Sequence, residues 1–150
     1  MLEVILVALF VVLVFDVLIQ VFSRYALSKS FAFTEELARF CLIWMTLLGG
    51  AYLVVKKQHL TMDFLLRNAS DRRRILTEIT ISIMVILFAG IVMVIGGSNL
   101  VFITLRLEQI SPAMQVPLGY VYAVLPFSGL LIVYYCIRRL VAQIAQLKSI

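Results

Sequence analysis

The sequence predicts an all-α membrane protein with four transmembrane helices. Of its 150 residues, 63% are hydrophobic and only 14% are charged, which is too little charge to cover a soluble surface. Four apolar stretches, residues 4–22, 37–55, 79–105 and 116–137, contain two charged residues between them. About 20 apolar helical residues cross a bilayer core, so each stretch is long enough to span, and none alternates like a barrel strand. We expect one integral membrane domain over residues 1–150.

The first predicted helix, about residues 2–25, contains an acid within its apolar stretch. A carboxylate inside a spanning helix is costly and by default marks a functional or paired site. For Asp16 we expect a buried structural pair with Arg39 of the second helix, or else with Arg24 or Gln20. The alternative is a proton or cation site, although the apolar stretches supply no second acid with which to build a relay.

The second predicted helix, about residues 35–55, begins with a polar triplet. Thr34 is expected to cap the free N–H groups of the first turn, and two carboxylates suit the positive end of the helix dipole. Arg39 lies four residues after Glu35 and three after Glu36, so an ion pair on one face is possible. Capping and dipole effects explain these residues without any acid–base role.

The connection between helices two and three mixes apolar and polar residues. Over residues 59–67 this pattern predicts a short amphipathic helix lying at the membrane interface. His59 and Asp63 are four residues apart and could form a two-ligand metal clip. Because His59 is the only histidine, a hydrogen bond between the two is the expected role.

The third predicted helix, about residues 71–105, is longer than a bilayer requires. Its 27 apolar residues reach about 40 Å, so the helix should tilt or protrude. Gly90 and Gly97 lie seven residues apart on one face, and Gly49-Gly50 is a similar small pair on helix two. Small residues let membrane helices approach closely, which predicts packing against a helix of this chain or of another subunit.

The fourth predicted helix, about residues 117–140, has prolines before it, at its start and in its middle. Pro112 favours a turn before the helix, and Pro117 is expected in its first turn. Pro126 lies in mid-helix, where the missing N–H should produce a kink. Cys41 and Cys136 are expected at opposite membrane depths, too far apart to bridge, as small apolar packing residues.

The basic residues are distributed unequally between the two sides that four spans define. Nine of the 13 Lys and Arg fall on the side of both termini, and three fall on the other. This asymmetry predicts that both termini are cytoplasmic. The net charge of +5 then reflects topology and contact with phospholipids, and not nucleic acid. The expected lipid anchors are Lys56, Lys57, Arg72, Arg73, Arg74, Arg138 and Arg139.

No phosphate-binding glycine loop, nucleophile elbow or metal-ligand cluster occurs in the sequence, so we predict no enzyme and no catalytic, metal or substrate-binding residue. Instead, an ordered set of short motifs over about residues 21–131 resembles the small, Q-type membrane subunit of tripartite ATP-independent periplasmic (TRAP) transporters. The motifs are Phe22-Ser23-Arg24-Tyr25, Thr34-Glu35-Glu36-Leu37-Ala38-Arg39-Phe40, Trp44 with Gly49-Gly50, His59-Leu60-Thr61-Met62-Asp63, Ser111-Pro112-Ala113, Pro117-Leu118-Gly119-Tyr120 and Leu125-Pro126.

The resemblance implies a subunit of a bacterial inner-membrane importer. In that family a large, many-helix subunit holds the substrate and sodium sites and moves as an elevator, and a periplasmic binding protein delivers an organic acid. Family substrates include C4-dicarboxylates, sialic acids and sugar acids. The small subunit would act as scaffold and docking aid, with no cofactor of its own and with sodium as coupling ion in the large subunit. The residues expected in family motifs, subunit interfaces or structural roles are Asp16, Arg24, Glu35, Glu36, Arg39, Trp44, Gly49, Gly50, His59, Asp63, Pro112, Pro117, Gly119 and Pro126.

Other classes of membrane protein are also compatible with parts of the sequence. The main alternative is a self-sufficient small exporter that dimerises and cycles a proton on Asp16. A haem anchor or membrane oxidoreductase would need paired cysteines or axial histidines within the spans, and the sequence has neither. A purely lipid-facing structural protein would leave the outer-loop motifs unexplained.

Overall fold

The structure, a computed structural model, describes residues 2–26, 31–56 and 71–148. Its helices are α1 (Leu2–Ala26), α2 (Ala32–Lys56), α3 (Asp71–Phe88), a π-helical segment (Ala89–Gly96), α4 (Gly97–Arg106), α5 (Leu118–Tyr122) and α6 (Val124–Lys148). Four stretches are long and apolar enough to cross a membrane: Leu2–Ala26, Ala32–Val54, Ile75–Arg106 and Leu118–Ala145. The prediction of four spanning helices is therefore confirmed. The predicted interfacial helix, with Lys57, His59 and Asp63, lies outside the described residues.

The four spans lie side by side in a row. The first span packs on the second, the second on the fourth, and the fourth on the third. Such a row exposes more surface than a compact bundle: the accessible area is 10562 Å², against about 7,700 Å² for a soluble monomer of this mass. We call the end that carries residues 31–36 and 107–117 the loop end, and the end that carries Lys56 and residues from Arg138 onward the basic end.

The start of α2 differs from the prediction. The helix begins at Ala32, so Thr34 lies inside the first turn and not before it. Its hydroxyl donates to the carbonyl of Phe31 at 2.8 Å and does not cap a free N–H group. The capping prediction for Thr34 was therefore wrong, because a hydroxyl within a helix reaches the carbonyls of the preceding turn.

The third and fourth spans approach each other backbone to backbone. A Cβ placed on Gly129 of α6 would lie 2.7 Å from the Cβ of Met93 in the π-helical segment. A Cβ on Gly97 would lie 2.7 Å from a methyl group of Leu125 and 3.1 Å from the ring of Pro126. The wider π-helical turn and these two glycines together allow the close crossing.

The other predicted glycine contacts are looser inside this chain. A Cβ on Gly49 would meet Leu6 at an ordinary 3.9 Å, and one on Gly50 or Gly90 would meet nothing within 4 Å. The prediction of close packing within the chain thus holds for Gly97 but not for these three. Open space beside Gly50 and Gly90 leaves contact with another subunit sterically possible.

The regular helix of the fourth span has a one-residue break at Ala123, between α5 and α6 and three residues before Pro126. The backbone of Ala123 stays helical, with φ −60° and ψ −21°, so the kink expected at Pro126 stays a prediction. Trp44 of α2 donates its indole N–H to the carbonyl of Val121 at 3.1 Å, and so supplies a donor beside the break. Pro117 stands immediately before α5 and not within its first turn.

Candidate functional site at the loop end

The connection between α4 and α5 is a firmly bonded turn. Glu108 donates its backbone N–H to Leu105 at 3.1 Å, and Gln109 donates to Thr104 at 3.1 Å. Glu108 has a φ of 49°, so this end of α4 forms a Schellman motif with glutamate in the left-handed position that glycine usually takes. The chain therefore leaves the third span in one defined direction.

A narrow hairpin follows this helix end. Ile110 and Pro117 pair as an antiparallel bridge, and Ser111 donates its N–H to Val116 at 2.9 Å. The N–H of Gln115 donates to the carbonyl of Ser111 at 3.0 Å, which closes the tip of the hairpin. Ser111 is fully buried at the base of that tip.

A single carboxylate of α2 holds the tip of this hairpin. Oε2 of Glu36 accepts the N–H of Ala113 at 3.0 Å and the N–H of Met114 at 2.8 Å. Pro112 has no N–H of its own, so the turn directs two successive donors at one oxygen, as in a backbone anion nest. Glu36 is buried, with 8% of its surface exposed. The negative charge of Glu36 is thus used to join α2 to the hairpin.

Beside this contact lies a cleft of about 260 Å³ at the loop end. Its lining includes Glu35, Arg39 and Pro112 as well as Glu36. Arg39 is exposed and lies close enough to Glu36 to interact with it electrostatically. The cleft therefore presents a guanidinium and a carboxylate to whatever approaches the loop end, and its chemistry suits polar recognition.

Several residues of the predicted set meet at this end of the molecule. Glu35, Glu36, Arg39 and Pro112 share the cleft, and Pro117 forms the base of the hairpin. Gly119 lies under Leu105, where a Cβ would come within 2.5 Å of the leucine side chain. The sequence motifs that were separated along the chain are thus joined by the fold.

Asp16 is placed differently from the prediction. It is buried, with 5% exposure, and within the described part of the chain its Oδ2 has no hydrogen-bond partner. Among the described residues it forms no ion pair with Arg39 but lies near Cys41, so the predicted Asp16–Arg39 pair was wrong. Residues 39 and 41 project about 200° apart on a helix, and α2 turns Arg39 toward the cleft instead. Arg24 is exposed at the end of α1.

The basic end contains polar contacts that sequence reasoning missed. Glu78 of α3 accepts one hydrogen bond from the side-chain amide of Gln143 at 2.9 Å, and its Oε2 lies 3.7 Å from a guanidinium nitrogen of Arg139. Ser82 donates to the amide oxygen of Gln143 at 3.2 Å. Arg139, an expected lipid anchor, thus lies beside an acid of the third span, and its contact with lipid stays a prediction. The sequence did contain a signal for this contact. Glu78 is an acid at the start of the third span, and Arg139 and Gln143 lie four residues apart, on one face, near the end of the fourth.

A second polar contact at the basic end joins α1 to α2. Lys56 lies 2.7 Å from a carboxylate oxygen of Glu3, to which the Tyr52 hydroxyl also donates. The hydrogen bond to Glu3 raises the pKa of Lys56 above its ordinary value. The predicted anchors Arg72, Arg73 and Arg74 begin α3, but their side chains lie outside the described atoms.

Comparison with known proteins agrees with the motif resemblance. Residues 12–146 match the family described as tripartite ATP-independent periplasmic transporters, DctQ component. A protein of Haemophilus influenzae named as a candidate TRAP transporter small permease protein is 24% identical over 143 residues, covering 95% of this chain and 87% of that protein. The matched range spans the positions of Asp16, Glu36 and the hairpin. The chain therefore belongs to the DctQ component family of the TRAP transporters, as a small permease component.

Proposed function

We propose that this small permease component is the scaffold on which a larger, many-helix membrane subunit moves as an elevator. It also helps to dock a periplasmic substrate-binding protein at the loop end. The complete transporter is a sodium-coupled importer of an organic acid, a C4-dicarboxylate, a sialic acid or a sugar acid. It lies in the bacterial inner membrane, with both termini of this chain in the cytoplasm and with the sodium sites in the large subunit.

The observation that carries the scaffold proposal is the contact between Glu36 and the hairpin. A scaffold must keep its shape while its partner moves. The two bonds from Ala113 and Met114 tie the second span to the connection between the third and fourth spans. A third hydrogen bond, from Trp44 to Val121, ties α2 to the fourth span itself.

The outward faces of the row support contact with a second membrane protein. α1 packs on one neighbour and presents large apolar side chains elsewhere; Phe10, Phe15 and Phe22 are 53%, 62% and 70% exposed. Lipid alone can cover such a face, but the same apolar surface suits the helices of a large subunit.

The docking role follows from the position and chemistry of the cleft. Arg39 and Glu35 are exposed beside the hairpin that Glu36 holds, at the end that the distribution of basic residues predicts to be periplasmic. Charged groups at the rim of an interface set the rate and specificity of association more than its strength. We therefore expect Arg39 to affect delivery of substrate rather than assembly.

The first experiment is a capture of the tagged chain from its native membrane in mild detergent, followed by mass spectrometry. One large, many-helix protein in near-equal amount is the expected result. Recovery of a homodimer with no large partner would contradict the scaffold proposal. Uptake by the reconstituted complex should then be lost when sodium is replaced by choline.

Two variants separate assembly from docking. Arg39→Glu should leave the co-purified large subunit unchanged and reduce uptake driven by the binding protein, whereas Glu36→Gln should reduce both by loosening the hairpin. Glu108→Gln, a change of the same kind in the same connection but outside the cleft, serves as the control. Unchanged assembly and uptake in both test variants would remove the proposed roles of these residues.

A further inference from the structure

An apolar groove runs along the row of spans, between α1 and α6 and over α2. Its volume is about 590 Å³, and it is lined almost wholly by apolar side chains, among them Ile5, Trp44, Leu48, Phe127 and Leu131. The groove arises because α2 packs against both α1 and α6, and so forms the floor between them. Within a bilayer, such a groove must be filled by apolar matter.

A basic residue follows the groove-lining residues on each of two helices, α2 and α6. On α2, Trp44 and Leu48 are followed at four-residue intervals by Tyr52 and Lys56. On α6, Phe127 and Leu131 line the groove, followed by Tyr135, which also lines it, and then Arg138. Residues three or four apart share one face of a helix, so both apolar stripes lead to a basic residue at the same end.

The two cations lie at similar depths. The bond from Trp44 to Val121 fixes the register of two spans that run in the same direction. Lys56 follows Trp44 by 12 residues and Arg138 follows Val121 by 17, so Arg138 lies about 7.5 Å further along the axis. Lys56 is paired with Glu3. Arg138 is exposed, and no ion pair includes it within the described part of the chain.

We propose that this groove is a binding site for one anionic phospholipid of the leaflet at the basic end. An acyl chain lies along Trp44 and Leu131, Tyr135 stands at the boundary between tail and head group, and the lipid phosphate and its anionic head face Arg138. Charge complementarity selects this occupant, because a surplus cation at the mouth of an apolar groove matches a molecule with an apolar tail and a negative head. A helix of another protein would fill the groove without using that charge.

The site contains its own reporter, since Trp44 is the single tryptophan of the chain. The full chain is placed in nanodiscs of phosphatidylcholine, and lipids with brominated acyl chains, which quench tryptophan on contact, replace part of the bilayer. Brominated phosphatidylglycerol should reach half of its maximal quenching at a mole fraction about fivefold lower than brominated phosphatidylcholine. Equal titrations with the two lipids, or no quenching by either, would overturn the proposal; the second result would indicate that protein covers the groove.

A pair of matched variants tests the role of the cation. Arg138→Gln should remove about a fivefold preference for phosphatidylglycerol, with the emission maximum unchanged as evidence that the fold around Trp44 is kept. Arg106→Gln, the same substitution at the loop end, should leave the preference as in the wild type. An unchanged preference in the Arg138 variant would refute the site. The measurement uses no partner subunit, so its result is independent of the scaffold proposal.

Discussion

Gly129 on α6 faces the π-helical segment at a distance that leaves no room for a methyl group. In Gly129→Ala, the new Cβ would lie 2.7 Å from the Cβ of Met93 and 3.1 Å from a methyl group of Val94. The Cβ of Met93 is fixed to the backbone, so one of the two helices must shift. We therefore expect this single methyl group to weaken the packing of the fourth span on the third.

The size of the change in unfolding free energy follows from two opposing effects. Overpacking a tight contact costs about 1–3 kcal/mol, whereas alanine in place of glycine within a helix gains up to about 1 kcal/mol. Gly50→Ala is the matched control, because a Cβ at Gly50 meets nothing within 4 Å and only the gain remains. The two variants should thus differ by about 2 kcal/mol, or about 6 °C in melting temperature for a chain of this size.

The chain contains two thiols that can report its unfolding. Cys41 and Cys136 are free and buried, so a fluorogenic maleimide reacts with them only as the protein unfolds on heating in detergent. The melting temperature of Gly129→Ala should fall clearly below that of Gly50→Ala. Equal melting temperatures, or a higher value for Gly129→Ala, would refute the argument from backbone contact.

Three further predictions use the same assay. Asp16→Asn should raise the melting temperature by the equivalent of about 1–3 kcal/mol, because a neutral amide costs less to bury than a carboxylate whose Oδ2 has no hydrogen-bond partner among the described residues. Uptake lost from a stable Asp16→Asn variant would instead support the proton-coupled exporter. Glu108→Gly should increase the free energy of unfolding by about 1 kcal/mol, because glycine adopts the positive φ without strain. An equal increase in Glu108→Ala would show that relief of the positive φ is not the reason. Lys56 has a raised pKa, so its bond to Glu3 is fully present below the ordinary lysine pKa and is lost only as pH rises through the raised value. The stability difference between wild type and Lys56→Gln should therefore stay constant between about pH 6 and pH 9, and a change across that window would disprove the assignment.

The family and the span count were both accessible from the sequence. Hydropathy predicted the spans because a bilayer imposes a length and an apolar composition on any helix that crosses it. The motifs around Glu36, Pro112 and Pro117 predicted the family, which the comparison over residues 12–146 confirmed. Orientation, substrate and coupling ion stay predictions.

The partners of the polar residues were not accessible in the same way. The pairing of Asp16 with Arg39 assumed that neighbouring helices bring their charges together, but the rotation of α2 about its axis turns Arg39 to the cleft and leaves Cys41 beside Asp16. Likewise, Gly50 and Gly90 looked equivalent to Gly97 in the sequence, yet only Gly97 lies at a helix crossing. Helix rotation and crossing points depend on all the side chains of both helices at once.

The sequence by itself determined that this protein has four membrane helices and is of the TRAP small-subunit type, because apolar length and local motifs are properties of single segments. The tertiary structure decided which residues of different segments come into contact. It brought Glu36 to two backbone N–H groups that lie 77 and 78 residues further along the chain. It also set α1 and α6 apart over α2, which opens the groove lined by Trp44, Leu131 and Tyr135. Both features depend on the register and rotation of packed helices, and these are fixed by contacts between segments rather than by the pattern within any one of them.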